Sequence, residues 1–269
     1  MIISKQGNKL VLVRQDEHMV QAGDVARRWG NEKFSRMEKH ESVSLGIGLH
    51  DFGWKEPDDA VWYNEKTKRP MNFLDVDLPG HVRFYEEGFR EALKRDEYAG
   101  LMLGLHWIGL YTRRYGYDPT FTYEVPENLT DFFHSVISRI EKEFVDIKNK
   151  FWDPRRKRSE FEDQIWMSYE FFQVMDRTSL FMSLNDPMSQ NRVVLGPVRK
   201  KQQEDPVHIT LTARGDGTLL VEPFPFAEEF ETFVPARKIE DRDYSSHEEI
   251  KEVVEKTEKI PVKWKVVAR

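Results

Sequence analysis

The sequence contains no cysteine, which excludes disulfide bonds, thiolate metal ligands and a cysteine nucleophile. Any metal ion would therefore bind to histidine, aspartate or glutamate. Long apolar runs are also missing, because the most apolar internal stretch, residues 99–111, contains His106 and is shorter than the roughly 20 residues of a membrane span. The N-terminal residues include charged side chains in their apolar run and no small-residue cleavage site, unlike a signal peptide. We expect a soluble, cytoplasmic protein.

An excess of one charge sign is absent as well. Charged residues make up 33% of the chain, yet the formal net charge is only −6. No overall field therefore attracts nucleic acid or an anionic membrane, and we expect neither partner. The 269 residues are 39% hydrophobic, which suffices to fill a globular core.

Hydrophobic periodicity predicts six helices in the middle of the chain. They cover residues 15–29, 43–52, 79–94, 97–113, 128–150 and 161–184. Gly53 is expected to end the second helix in the left-handed conformation. The polar residues 55–78 are expected to form a long surface loop beside a functional site.

Short β-branched segments occupy both ends of the chain. Residues 1–14 alternate around a Gly-Asn turn and predict a β-hairpin, and residues 191–269 contain further strands. The pattern therefore predicts a mainly α protein, a helical bundle with a small appended antiparallel sheet. Its predicted units are a hairpin (1–14), a helical metal-binding domain (15–190) and a β-rich region packed on the helices (191–269), although all three could form one domain.

Six side chains that can bind metal follow one another along the predicted helices. They are His18, His50, Asp51, His81, His106 and Asp176. Imidazoles and carboxylates suit iron, manganese, zinc or magnesium, and a carboxylate can bridge two ions. A single buried histidine is more often an ordinary core residue, whereas a carboxylate on an apolar helix needs an ion pair or a metal. As a set, they predict a site for one or two divalent metals.

The order His, His-Asp, His, His, Asp resembles that of the HD-domain superfamily. This resemblance covers residues 15–185 and implies an all-helical fold that gathers the ligands around one or two metals, with iron or manganese favoured. The segment HDFGW (50–54) is similar to the HDxGK element of the HD-GYP branch, and YGYDP (115–119) is weakly similar to its GYP signature. The whole chain also resembles an uncharacterised HD-like family described only as a domain of unknown function.

The resemblance also implies how the ligands are shared. One metal would be bound by His18, His50, Asp51 and Asp176, and the other by Asp51, His81 and His106. Two departures from the HD-GYP pattern matter, because Trp54 replaces the expected lysine and Trp107 replaces a second histidine beside His106. The lost histidine disfavours a third metal and cyclic-dinucleotide hydrolysis. Di-iron oxygenases of the superfamily use the same six-ligand set, so oxygen chemistry stays open.

The leading hypothesis is a metal-dependent phosphohydrolase that acts on a small phosphorylated compound or nucleotide. Asp51 or Asp176 would position a metal-bound water as the nucleophile. The alternatives are a di-iron oxygenase acting on a polyol or phosphonate, and an inactive ligand-sensing or interaction module. A small anionic substrate could be bound by nearby cations, each of which could equally be a solvated surface residue: Lys55, Arg83, Arg113 and Arg114.

Overall fold

Most of the helices lie in the middle of the chain and most of the strands toward its two ends in the computed structural model, which describes residues 1–112 and 125–269. The helices are α1 (Gln15–Arg27), α2 (His40–Ile47), α3 (Lys55–Asp59), α4 (Leu78–Arg95), α5 (Glu97–Tyr111), α6 (Thr130–Phe151), α7 (Arg158–Leu184) and α8 (His247–Lys256). Short 3-10 turns cover Phe52–Trp54, Phe73–Asp75 and Glu127–Leu129. None of the described helices is long and apolar enough to cross a membrane.

The strands form one large sheet and one small one. They are β1 (Ile2–Gln6), β2 (Lys9–Val13), β3 (Tyr63–Asn64), β4 (Arg69–Pro70), β5 (Gln190–Arg199), β6 (Pro206–Arg214), β7 (Thr218–Glu222), β8 (Phe230–Glu240) and β9 (Ile260–Ala268). Seven of them form a sheet in the order β1-β2-β8-β9-β7-β6-β5, and β3 pairs with β4. All neighbours in the large sheet are antiparallel except β7 and β9, which are parallel.

The prediction of a mainly α bundle with a small antiparallel appendage is therefore wrong. About half of the chain is helical, and the sheet is large and mixed. The missing information is long-range pairing: β2 joins β8, with Lys9 opposite Glu240, so that the two ends of the chain meet in one sheet. Local alternation identifies a strand, but it does not identify a partner more than 200 residues away.

Helix α7 lies at the centre of the molecule. It packs against α1, α2 and α5, and also against β5. Trp264 of β9 donates a hydrogen bond from its indole to the backbone carbonyl of Met182, at 3.1 Å. One continuous hydrophobic core includes side chains of the helices and of the sheet. Helices and sheet thus hold α7 from several sides, which fixes the positions of the polar residues that it carries.

The segment between α2 and α3 departs from the predicted helix. Helix α2 ends at Ile47, so His50 and Asp51 lie beyond it, in an irregular stretch before the 3-10 turn. Gly53 does not have a positive φ and is not a left-handed cap. It is needed because α4 crosses closely, and an added Cβ would overlap the backbone carbonyl of Phe84. Residues 55–78 are also not a plain loop, since they contain α3, the β3-β4 hairpin and a 3-10 turn.

The close contact at Gly53 predicts that Gly53→Ala destabilises the protein by at least about 2 kcal/mol, because two backbone segments must move apart. Gly48→Ala is the matched control, since its added Cβ would make only ordinary contacts, the nearest at 3.5 Å to Ser44 O. Urea unfolding of both variants measures the difference. Equal losses of stability would show that the approach of α4 to this segment is not tight.

Candidate metal centre

Five of the six predicted ligands converge at one buried point. The apolar helix α5 carries His106, and α7 carries Asp176. His18 lies in the first turns of α1, while His50 and Asp51 come from the segment after α2. All five side chains are buried, with Asp51 2% and Asp176 4% exposed. Residues far apart in the sequence thus share one site.

The distances within the cluster match those expected of metal ligands. Asp176 Oδ1 lies 2.9 Å from His18 Nε2 and 3.2 Å from His50 Nε2. Asp51 Oδ2 lies 3.2 Å from His50 Nε2, and His106 Nε2 lies 3.9 Å from Asp176 Oδ2. Ligands bound at about 2.1 Å from one ion are roughly 3 to 4 Å apart. Two overlapping groups, His18/His50/Asp51 and His50/His106/Asp176, each have ligand atoms within 4.8 Å of one another.

His81 lies in the wall of the same cavity but belongs to neither group. Its Nδ1 is 2.7 Å from the hydroxyl of Tyr111. Its ring also packs against Tyr85, with centroids 4.6 Å apart, and edge-on against Trp54, at 5.9 Å. The role of His81 as a ligand therefore stays a prediction, and a second metal depends on it.

Contacts at Nδ1, the ring nitrogen that lies away from the carboxylates, orient the imidazoles of His50 and His18. His50 Nδ1 lies 2.7 Å from the carbonyl oxygen of Ile47, and because a carbonyl only accepts, this nitrogen carries a proton. His18 Nδ1 lies 2.9 Å from Ser179 Oγ, and this hydroxyl is also 2.8 Å from Gln21 Oε1, to which it can donate. Both rings therefore direct Nε2 toward the carboxylates. Metal-bound histidines are usually oriented in this way, by a hydrogen bond at the ring nitrogen that does not bind the metal.

A cavity opens beside the cluster. Its remaining lining is mostly apolar: Gln15, Phe73, Leu74, Tyr85, Leu110 and Leu180. Gln15 and Ser179 were missed by the sequence reasoning. Each lies three residues from a predicted ligand, Gln15 before His18 and Ser179 after Asp176, so helical spacing was a signal that could have found them.

Two of the predicted substrate-binding cations, Lys55 and Arg83, do not line this cavity. Lys55 is exposed, and Arg83 is exposed and lies 3.7 Å from Glu56 in an ion pair. In the described part of the chain, no lysine or arginine lines the cavity. Arg113 and Arg114, with the YGYDP segment, lie outside the described residues.

The comparisons with known proteins identify the family. The family model described as "Protein of unknown function (DUF3891)" matches residues 1–241. The chain belongs to the DUF3891 family. No curated protein and no solved structure matches it. The matched region contains all six predicted ligands, but membership assigns no reaction to this DUF3891 protein.

Two buried carboxylates dominate the electrostatics of the DUF3891 site. Burial alone would lower the pKa of His50, but Asp51 and Asp176 outweigh it and hold this pKa well above 6.5. Burial favours neutral carboxyl groups, yet His50 and its neighbours hold the pKa of Asp176 well below 3.8 and lower that of Asp51. Asp51 Oδ1 is buried and has no hydrogen-bond partner among the described residues. The site therefore needs positive charge, from a proton on His50 or from a bound cation.

The imidazoles of His106 and His81 are held neutral. Burial lowers the pKa of His106 to about 4 and that of His81 to about 3. A neutral imidazole has a lone pair available for a metal. The donor set thus fits a divalent transition metal in both charge and chemistry.

These low pKa values predict that the metal-stripped protein loses stability in acid. Between about pH 4 and 6.5 these two histidines bind more protons in the unfolded chain than in the folded chain, so their contribution to the free energy of unfolding rises with pH. The two histidines together would contribute up to about 2.7 kcal/mol per pH unit. His50 contributes no opposing slope well below pH 6.5, because its raised pKa keeps its stabilisation fully present there.

Urea unfolding of chelator-treated protein across this pH range measures the slope. His81→Gln removes one of the two groups and should reduce their joint contribution by about half. The same pH dependence in wild type and variant would contradict the assignment of the acid sensitivity to these imidazoles.

Proposed function

We propose that the protein is a metal-dependent hydrolase of HD type, with one or two divalent transition metals, iron or manganese in preference to zinc or magnesium. The ligands would be His18, His50, Asp51, His106 and Asp176, with His81 completing a second site. The observation that carries this proposal is the burial of two carboxylates against three imidazoles, with no lysine or arginine lining the cavity in the described part of the chain. Replacing a proton by a metal ion would satisfy these charges.

The order of the ligands along the chain supports an HD-type site, since it resembles the set in that superfamily. A divalent ion bound there would act as a Lewis acid and lower the pKa of a coordinated water toward neutrality. Asp176 contacts His18 and His50, which suits a ligand held in place. Asp51 Oδ1 has no hydrogen-bond partner in the described part of the chain, so this oxygen is the one that can position a nucleophilic water and accept its proton.

The cavity lining defines the proposed substrate class. Because Lys55 and Arg83 lie elsewhere, an anionic phosphoryl group would be recognised by metal charge rather than by these side chains. Phe73, Leu74, Leu110 and Leu180 would contact an apolar part of the substrate. A small phosphate ester with an apolar substituent fits both features.

A di-iron oxygenase is the second candidate. The specific observation in its favour is the same apolar lining around a His- and carboxylate-rich cluster. Such surroundings exclude water, and they suit the oxidation of a weakly polar substrate as well as the hydrolysis of an ester. The ligand set is common to the two candidates, so the reaction must be decided by assay.

Metal analysis tests the site itself. Protein purified without a chelator or an affinity tag should contain at least about one equivalent of iron or manganese, and His50→Ala and Asp176→Asn should lose most of it. Ser179→Ala should weaken metal affinity about 10- to 100-fold, because Ser179 orients His18. Ser183→Ala is the matched control, a buried serine of α7 whose hydroxyl has no described partner. A wild type with well below one equivalent, and with a stability unchanged by His50→Ala, would refute the site and favour an inactive sensing or interaction module.

Activity assays distinguish the two reactions. We expect p-nitrophenol release from p-nitrophenyl phosphate or its diester in the presence of manganese or iron, reduced at least about 100-fold in Asp51→Asn because the water loses its proton acceptor. Arg83→Ala is the control and should retain activity. Oxygen uptake by the iron-loaded protein that depends on an added polyol or phosphonate, without phosphate ester hydrolysis, would instead establish the oxygenase.

A further inference from the structure

A second cavity lies on another face of α7, against β5. This second cavity is separate from the metal cavity, because the two share no lining residue. Its walls are formed by Trp166, Tyr169, Glu170, Gln173, Val174, Arg177, Gly196 and Pro197. The helical residues recur at spacings of three and four, so they form one stripe along α7.

The polar centre of this second cavity is Gln173. Its side chain is only 4% exposed, and neither Oε1 nor Nε2 has a hydrogen-bond partner among the described residues. Buried amides nearly always have partners, because an amide removed from water without them is unfavourable. The neighbouring Glu170 carboxylate does not fill this role, since it accepts hydrogen bonds from Arg199 at 3.0 and 3.2 Å. Gln173 thus lines the cavity with an amide whose hydrogen-bonding capacity no described residue uses.

One wall of the cavity is aromatic. Trp166 stacks on Tyr169, with ring centroids 5.1 Å apart and an angle of 30° between the planes. Tyr169 is buried, whereas Trp166 is 44% exposed despite its size. An exposed indole beside a cavity offers a flat apolar face on which a planar ring can stack.

We propose that this cavity binds a neutral planar ring with a hydrogen-bond donor and acceptor side by side, as on the lactam edge of a pyrimidine or purine base. The glutamine amide presents one acceptor and a donor in one plane, and it pairs with such an edge through two hydrogen bonds. The aromatic wall would contact the ring face. The Glu170 carboxylate is already paired with Arg199 at 3.0 Å, so it does not select a charged ligand.

The second cavity does not depend on the proposed hydrolase function, but it lies close to the candidate metal centre, because both are lined by residues of α7. Asp176 lies between Gln173 and Arg177 in the sequence of α7. A ligand in the second cavity would contact the same helical turn that positions this metal-ligating carboxylate. The cavity is thus placed to hold an effector or a specificity-determining part of a larger substrate.

Calorimetric titration with uracil and with hypoxanthine tests the proposal. We expect saturable binding of at least one of them by the wild-type protein. The affinity for uracil should fall about tenfold or more in Gln173→Met, which loses both hydrogen bonds, and in Trp166→Ala, which loses the stacking face. 1,3-Dimethyluracil should bind at least about tenfold more weakly, because its ring is kept while its donor is blocked.

Two controls separate this site from the metal centre and from a structural role. His50→Ala should bind uracil as wild type does, whatever its metal content. Gln173→Met should keep or raise the thermal stability of the ligand-free protein, since it removes an unsatisfied buried amide. The proposal is overturned if neither base binds at millimolar concentration, if Trp166→Ala and Gln173→Met bind uracil like wild type, or if only His50→Ala abolishes binding.

Discussion

Asp51 and Asp176 place two carboxylates in the interior of the protein, where α1, the segment after α2, α5 and α7 meet. Burying such charges is unfavourable by several kcal/mol per ion unless positive charge and hydrogen bonds surround them. The surrounding structure meets that need with imidazoles rather than with lysine or arginine. The folded arrangement of these four segments therefore depends on a proton or a metal ion at their junction.

Much of the fold can be understood as support for this junction. Gly53 lets α4 pass against the segment that carries His50 and Asp51. The carbonyl of Ile47 and the hydroxyl of Ser179 fix the orientation of two imidazoles. The large sheet packs behind α7 and holds it in place. Each contact is modest alone, but together they keep ligand atoms from distant parts of the chain within a few ångströms of one another.

The sequence singled out His18, His50, Asp51, His106 and Asp176 because histidines and carboxylates in apolar surroundings need partners. Their side chains lie together in the structure, and their binding of a metal stays a prediction. The predicted substrate cations illustrate where such reasoning fails. Arg83 is only two residues from His81, but two residues turn a helix by about 200°, so the arginine faces solvent. The sheet was underestimated because its decisive pairings, β2 with β8 and β7 with β9, join segments that local patterns do not connect.

Anomalous diffraction from crystals of the manganese- or iron-bound protein is the most direct test of the central claim. We expect one or two strong peaks among His18, His50, Asp51, His106 and Asp176, about 2.0 to 2.2 Å from imidazole nitrogens and carboxylate oxygens. A second peak would lie on the His81 side. A well-ordered site without any anomalous peak, with His50 hydrogen-bonded between the two carboxylates, would show that a proton rather than a metal balances the buried charge.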